Sequence, residues 1–238
     1  MNKPEIIIAM DLPDKAAVDN FVDKFPASES LYLKVGMELY YKEGPAIVTY
    51  LKEKGHRIFL DLKMHDIPNT VKSAMRQIAS LGIDLTNLHA AGGKKMMEAA
   101  VEGLTLGSPD GKRPLIIAVT QLTSTSKDEM NSEQRIPGEV ADSALNYARL
   151  SKEAGLDGVV CSAHEARSVH ELCGDDFIAL TPGIRLESDD PHDQKRVATP
   201  RFAKEEGSNY IVIGRSVTQV ENPYEVYQRI QAELKLID

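Results

Sequence analysis

Short runs of β-branched and leucine residues recur about every thirty positions along the 238-residue chain, and each precedes a stretch whose apolar residues return at helical spacing. That alternation is the mark of repeated βα units. It predicts strands over Glu5–Met10, Leu31–Val35, Arg57–Leu62, Leu85–His89, Leu115–Thr120, Gly158–Cys161, Phe177–Thr181 and Tyr210–Ile213. The joints repeat too. Lys-Gly-His-Arg at 54–57, Leu-Gly-Ile-Asp at 81–84, Ala-Gly-Leu-Asp at 154–157 and Glu-Gly-Ser-Asn at 206–209 each put glycine just past a helix, where a left-handed residue is wanted. Pro13, Pro45, Pro68, Pro200 and Pro223 mark first helical turns, where a missing N–H costs nothing.

No Ser/Gly tract, charge block or change of texture divides the chain. Eight units in one undivided domain, 1–238, predict an α/β fold, a (β/α)8 TIM barrel, with an open doubly wound sheet as the alternative. Two polar segments exceed the usual loop length: Gln121–Pro137 after the fifth strand and Leu186–Thr199 after the seventh. Both follow strands, at the face where barrel enzymes build their sites, and both are expected to act as lids.

Composition narrows the partners. The chain is 42% hydrophobic and 27% charged, as in an ordinary globular protein. Its net charge of −8 disfavours nucleic acid and anionic membranes as partners, while leaving room for one small anion in a pocket. Cys161 and Cys173 make neither a disulfide framework nor a zinc motif, and are expected as reduced thiols in a cytoplasmic protein. The apolar run Ile6–Met10 is too short for a signal sequence or a membrane span.

Charge appears where a buried strand should be apolar. Asp11 closes the first strand, Lys34 lies within the second, and Asp61 and Lys63 end the third, with Asp66 three residues on. By alternation Phe59, Asp61 and Lys63 share one face. Strand ends often carry charge that simply reaches solvent. An array of both signs delivered to one mouth by three adjacent strands points instead to chemistry, because burying ions is costly. A second group, Thr181-Pro182-Gly183-Ile184-Arg185 and Gly214-Arg215-Ser216, follows strands seven and eight, where barrels commonly bind phosphate. Glycine admits backbone N–H groups to phosphate oxygens, and guanidinium pairs with them bidentately.

The run Asp61-Leu-Lys-Met-His-Asp-Ile-Pro-Asn-Thr70 resembles the signature of the orotidine 5′-phosphate decarboxylase family, and the likeness covers essentially the whole chain. It includes Ala9-Met-Asp11, Leu33-Lys-Val-Gly36, Val119-Thr-Gln-Leu-Thr-Ser124, Thr181–Arg185, Asp193-Gln-Lys-Arg-Val-Ala-Thr-Pro200 and Ile213-Gly-Arg-Ser216, the later motifs being of the bacterial type. The resemblance implies a cofactor-free, metal-free carboxy-lyase of de novo pyrimidine synthesis that converts orotidylate to uridylate. Lys63 would donate the proton to C6, Asp61 would lie beside the leaving carboxylate, and Lys34 and Asp66 would complete the array. Asp11 and Thr70 would contact ribose, Thr123 and Ser124 the pyrimidine edge, and Arg185, Gln194, Gly214 and Arg215 the phosphate. Lys34, Ile67 and Pro182 complete the substrate-contacting set. The family resemblance also implies a homodimer in which Asp66, Ile67 and Thr70 enter the partner's site.

Two other readings stand beside it. Mg2+-dependent sugar-phosphate decarboxylases and aldolases of the same suprafamily also carry Asp-x-Lys-x-x-Asp, but the Ile-Pro-Asn-Thr continuation argues against them. A non-catalytic nucleotide-binding barrel would need the phosphate residues but not the Asp/Lys array. The remaining candidates are expected to be structural. His65 packs locally, and His164 and His170 are six apart, which is not metal-ligand spacing on a helix. Gly92-Gly93-Lys94-Lys95 starts a helix, and Tyr40, Tyr41, Tyr224 and Tyr227 serve packing or dimer contacts.

Overall fold

A computed structural model of the chain describes residues 3–186 and 198–235. Among them, eight strands pair in parallel, each with the next in sequence, and the last pairs with the first: β1 (Glu5–Ala9), β2 (Tyr32–Gly36), β3 (Arg57–Met64), β4 (Leu85–His89), β5 (Leu115–Val119), β6 (Gly158–Val160), β7 (Ile178–Ile184) and β8 (Tyr210–Ile213). The ring is closed, so the doubly wound alternative is excluded. Around it lie α1 (Lys15–Val22), α2 (Met37–Glu43), α3 (Pro45–Glu53), α4 (Pro68–Ala79), α5 (Lys94–Leu106), α6 (Lys127–Ser132), α7 (Val140–Glu153), α8 (Ala163–Cys173), α9 (Pro200–Glu205), α10 (Arg215–Thr218) and α11 (Pro223–Lys235).

Strand alternation sorts the core into two shells. Ile7, Tyr32, Phe59, Leu85, Ile117, Leu180 and Val212 cluster inside the barrel, whereas Ile6, Ile8, Leu33, Leu60, Leu88 and Ile211 join the larger cluster under the helices. Helix faces match. On α4 the buried residues Val71, Met75 and Ile78 fall at i, i+4 and i+7, the spacing of one stripe. The joint glycines Gly55, Gly82, Gly155 and Gly207 all have positive φ, as a left-handed helix stop requires. Pro45, Pro68, Pro200 and Pro223 each open a helix. Pro13 does not: it precedes Asp14, the N-cap of α1, whose carboxylate accepts from the amide of Ala17.

The strands β3 and β7 run two and three residues further than expected, and both carry irregularities near their C-terminal ends. Between the pairs Leu60–Thr86 and Met64–Leu88, β3 advances four residues while β4 advances two. Between Thr181–Ile211 and Ile184–Ile213, β7 advances three while β8 advances two. In β7 the kink falls on Gly183 at φ +77°; in β3 it falls on Lys63 at φ +50°, a conformation few non-glycine residues adopt. The opposite end of the barrel is plugged by structural groups. Arg57 pairs with Glu5 and stacks 4.1 Å over the ring of Tyr32.

Helices α4 and α5 approach closely because Gly103 and Gly107 face α4. A Cβ at Gly103 would lie 2.2 Å from the Lys72 carbonyl oxygen, and one at Gly107 2.4 Å from that of Arg76. The segment expected as a lid after the fifth strand contains α6, opened by a capping box in which Ser126 and Glu129 bond each other's backbone amides. Residues 187–197 of the other expected lid, with Gln194 and most of the Asp193–Pro200 motif, lie outside the described residues.

Candidate active site

The inward positions at the C-terminal ends of β2, β3 and β4 carry the anomaly. Lys34, Asp61 and Asn87 continue the rows of Tyr32, Phe59 and Leu85 upward, where the apolar interior gives way to a pocket. Four charges form a chain of alternating sign. Lys34 Nζ lies 2.8 Å from Asp11 Oδ1 and 3.3 Å from Asp61 Oδ2, and Lys63 Nζ lies 2.7 Å from Asp61 Oδ1. Lys34 and Asp61 are buried, Lys63 is partly exposed, and Asp11 is open to solvent. Gly36, paired with Asp61 across β2 and β3, leaves the space this chain needs. A Cβ there would sit 3.0 Å from Lys34 Nζ and 3.1 Å from Asp11 Oδ1.

Burial alone would raise the carboxyl pKa of Asp61, but Lys34, Lys63 and a hydrogen bond from Asn87 outweigh it and hold the group below its ordinary value. For Lys34, burial works downward, yet Asp61 and Asp11 prevail and hold the ammonium above its ordinary value. Asp61 and Lys34 are therefore both charged at neutral pH. His89, half-buried on β4, moves the other way: burial, then His65 and Lys63, depress it and keep it neutral.

A cavity of about 210 Å3 opens on this array, lined on the charged side by Lys34, Asp61, Lys63 and Asn87 and elsewhere by Val119, Gln121, Leu122, Thr123, Ser124, Cys161 and Pro182. Of the residues singled out in the sequence, the pocket thus gathers Lys34, Asp61, Lys63, Thr123, Ser124 and Pro182, with Asp11 joined through Lys34. Arg185 and Arg215 follow β7 and β8, beside Gly183 and Gly214, at the same end of the barrel. Asp66, Ile67 and Thr70 stand apart. All three are exposed at the start of α4, and Asp66 accepts a hydrogen bond from the amide of Ile67.

Asn87 was not among the sequence candidates. Its signal was an amide at an inward position of a buried parallel strand, an anomaly of the same kind as Asp61. Gln121, within the Val119–Ser124 motif but with no role expected of it, lines the pocket and donates from Nε2 to Ser143 Oγ at 3.1 Å. Structural expectations hold elsewhere. The His164 ring packs 4.8 Å from Phe202, His170 Nε2 bonds Gly207 O at 2.9 Å, and Tyr224 and Tyr227 pack edge-on against Phe25. Gly93 caps α5 and Lys94 pairs with Glu153. Of the His, Cys, Asp and Glu residues described, no three gather as a metal site would require. No helix among the described residues is long and apolar enough to cross a membrane.

A closed parallel barrel with a paired Asp/Lys array facing a pocket at the strand C-termini defines a (β/α)8-barrel enzyme. Residues 4–230 match the family model described as orotidine 5′-phosphate decarboxylase / HUMPS family, and the chain belongs to that family. Proteins named orotidine 5′-phosphate decarboxylase from Bacillus cytotoxicus and Bacillus cereus are each 59% identical to it over 229 residues, covering 96% of both chains. Among solved structures, orotidine 5′-phosphate decarboxylase from Lactobacillus acidophilus matches with a TM-score of 0.87 at 41% identity, covering 98% of this chain and 99% of that one. An uncharacterized conserved protein from Geobacillus kaustophilus matches with the same TM-score at 52% identity, covering 96% and 99%.

Proposed function

We propose that this chain is a cytoplasmic, single-domain orotidine 5′-phosphate decarboxylase, which converts orotidylate to uridylate and CO2 without metal or cofactor. The observation that carries the reading is the Asp11–Lys34–Asp61–Lys63 chain, which ends with an ammonium at the pocket. When the C6–carboxylate bond breaks, CO2 leaves and the electron pair stays on C6 as a vinyl carbanion. That carbanion has no adjacent carbonyl or imine into which to delocalise, so its stabilisation must be electrostatic. Lys63 supplies the positive charge at C6 and then a proton from Nζ, and solvent later restores the proton to the lysine.

Asp61 would face the substrate carboxylate. Two like charges about 4 Å apart at an effective dielectric near 20 repel by about 4 kcal/mol, roughly three powers of ten in rate. Lys34 and Lys63 already offset part of the Asp61 charge, and Asn87 donates a hydrogen bond to it, so repulsion contributes without dominating. Much of the remainder comes from binding the part that does not react. Thr123 and Ser124 hold the pyrimidine edge, Asp11 and Thr70 the ribose, and Arg185, Gln194, Gly214 and Arg215 the phosphate, with Lys34, Ile67 and Pro182 as further substrate contacts.

Asp66, Ile67 and Thr70 act in a partner's pocket in this reading, as a homodimer with shared sites would have it. Their exposure supports it, since Ile67 is 67% exposed and Met37 and Tyr41, after the neighbouring strand β2, are exposed as well. Apolar surface of this kind at a barrel mouth is suited to a partner. The deciding experiment adds the purified protein to orotidylate in excess EDTA and follows the loss of orotidylate absorbance. Turnover is expected; turnover that EDTA abolishes and Mg2+ restores would overturn the metal-free reading, neither binding nor turnover of orotidylate would favour the sugar-phosphate relatives, and binding without turnover a non-catalytic barrel.

A further inference from the structure

We infer that Asn87 is a positioning residue that sets the geometry of Asp61 and Lys63 together. The inference rests on the decarboxylase reading for its kinetic consequences, but not for its geometry.

Asn87 is 1% exposed on the inward face of β4, where a parallel strand wants an apolar side chain. An unsatisfied amide there would be costly, and this one is satisfied at both ends. Its Nδ2 donates to Asp61 Oδ1 at 2.7 Å, and its Oδ1 accepts from the Lys63 backbone N–H at 2.9 Å. The amide can face only one way, because a carboxylate can only accept and a backbone N–H can only donate. One side chain thus spans two residues whose alignment the chemistry needs.

Each bond does a separate task. At the β3 bulge the strand has slipped out of register with β4, so Lys63 cannot use an ordinary ladder partner, and the Asn87 carbonyl takes its N–H instead. That bond holds Lys63 at φ +50° and so sets the origin of the side chain that reaches Asp61 and the pocket. The other bond places a neutral donor on the Asp61 oxygen that Lys63 also contacts, fixing the carboxylate plane and favouring its charged form. Asp61 is thereby held by three donors from three strands: Lys34 on β2, Lys63 on β3 and Asn87 on β4.

Leucine has the branching and heavy-atom count of asparagine but offers neither bond. Asn87→Leu should therefore spare nucleotide binding, which rests on other loops, and weaken the step that needs Lys63 aimed and Asp61 ionised. The test measures steady-state kinetics of the full-length protein with orotidylate across pH, with Asn87→Ser as a second variant that restores one hydrogen-bonding group. For folded Asn87→Leu, kcat should fall about 100-fold with KM within about threefold, the loss expected from misaligning a reacting group or removing its supporting partner. The acid limb of its kcat profile should move upward by about one pH unit as Asp61 loses a donor. Asn87→Ser should lie between leucine and wild type.

Hydrogen exchange at the Lys63 amide supplies a readout that needs no turnover, and it should accelerate about tenfold or more in Asn87→Leu, where the amide loses its partner, and by less in Asn87→Ser. An Asn87→Ser protein that keeps wild-type kcat and an unmoved acid limb, or that loses activity through KM alone, would overturn the positioning role. An unchanged Lys63 exchange rate would overturn the structural hold. If the wild type fails to turn over orotidylate, the decarboxylase reading falls by itself, and the exchange measurement still decides whether Asn87 governs Lys63.

Discussion

The 2.7 Å contact between Lys63 Nζ and Asp61 Oδ1 joins residues two positions apart across a strand bulge, not along a straight strand. Strict alternation puts both side chains on one face, but does not by itself aim them at each other. The left-handed backbone at Lys63, a conformation that costs on the order of 1–3 kcal/mol in a non-glycine residue, supplies that aim.

Removing the ammonium should be the most damaging change to the chemistry. Lys63→Ala is expected to lower kcat by at least about 1000-fold, since it deletes both the charge at C6 and the proton donor. Steady-state loss of orotidylate absorbance measures this, and near-normal turnover would show that the donor lies elsewhere.

Stability should depend on pH through the same array. Asp61 titrates lower in the folded protein than in the unfolded chain, so its contribution is present above about pH 4 and is lost as pH falls through the folded value. Lys34 titrates higher when folded, so its contribution is present below about pH 10.5 and is lost as pH rises through its folded value. Urea unfolding midpoints should therefore be flat with respect to these two groups at neutral pH and decline at both extremes. Lys34→Met should lose part of the alkaline decline, and an identical alkaline slope in wild type and variant would contradict the assignment.

Shared sites make a prediction that no single-chain site can imitate. Asp66→Asn and Lys63→Ala proteins, each inactive alone, should recover about a quarter of wild-type activity when unfolded together and refolded in equal amounts. Half the dimers are then mixed, and each mixed dimer holds one intact site. A mixture as inactive as its components would mean that Asp66 serves its own chain.

Arg215→Ala should reduce kcat/KM by about 100-fold or more although it lies well away from the reacting carbon, because remote phosphate binding is used to lower the barrier at C6. An unchanged kcat/KM in the variant would place the phosphate elsewhere.

Gly103→Ala tests the scaffold beneath the dimer residues. The added methyl would meet the Lys72 carbonyl at 2.2 Å, so α4 must shift, and overpacking of this kind costs about 1–3 kcal/mol. Chemical denaturation should show that loss. Because α4 begins at the exposed Asp66–Thr70 segment, gel filtration should also show a weaker dimer; a wild-type unfolding midpoint would mean that the helices separate freely.

Legibility differed between scaffold and site for a physical reason. The β1, β4 and β8 boundaries fall within one residue of those expected from pattern, because apolar alternation and glycine joints are local properties. The bulge at Lys63 extends β3 to Met64, beyond the Leu62 end that pattern indicates, and depends on a hydrogen bond from the neighbouring strand. Asn87 escaped notice for the same reason, since one amide in Leu-Thr-Asn-Leu-His reads as an irregular strand until its two partners come from β3.

The order of residues alone determined eight βα units, the strands that end in charge, and the family motifs, because each is written in spacing along the chain. Tertiary structure decided that the ring closes and that Asp11, Lys34, Asp61 and Lys63 alternate in sign within hydrogen-bonding distance. It also decided that Asp66, Ile67 and Thr70 face outward from their own chain. Those are relations between strands, and Coulomb attraction and hydrogen bonding act on distance in space, which sequence separation does not specify.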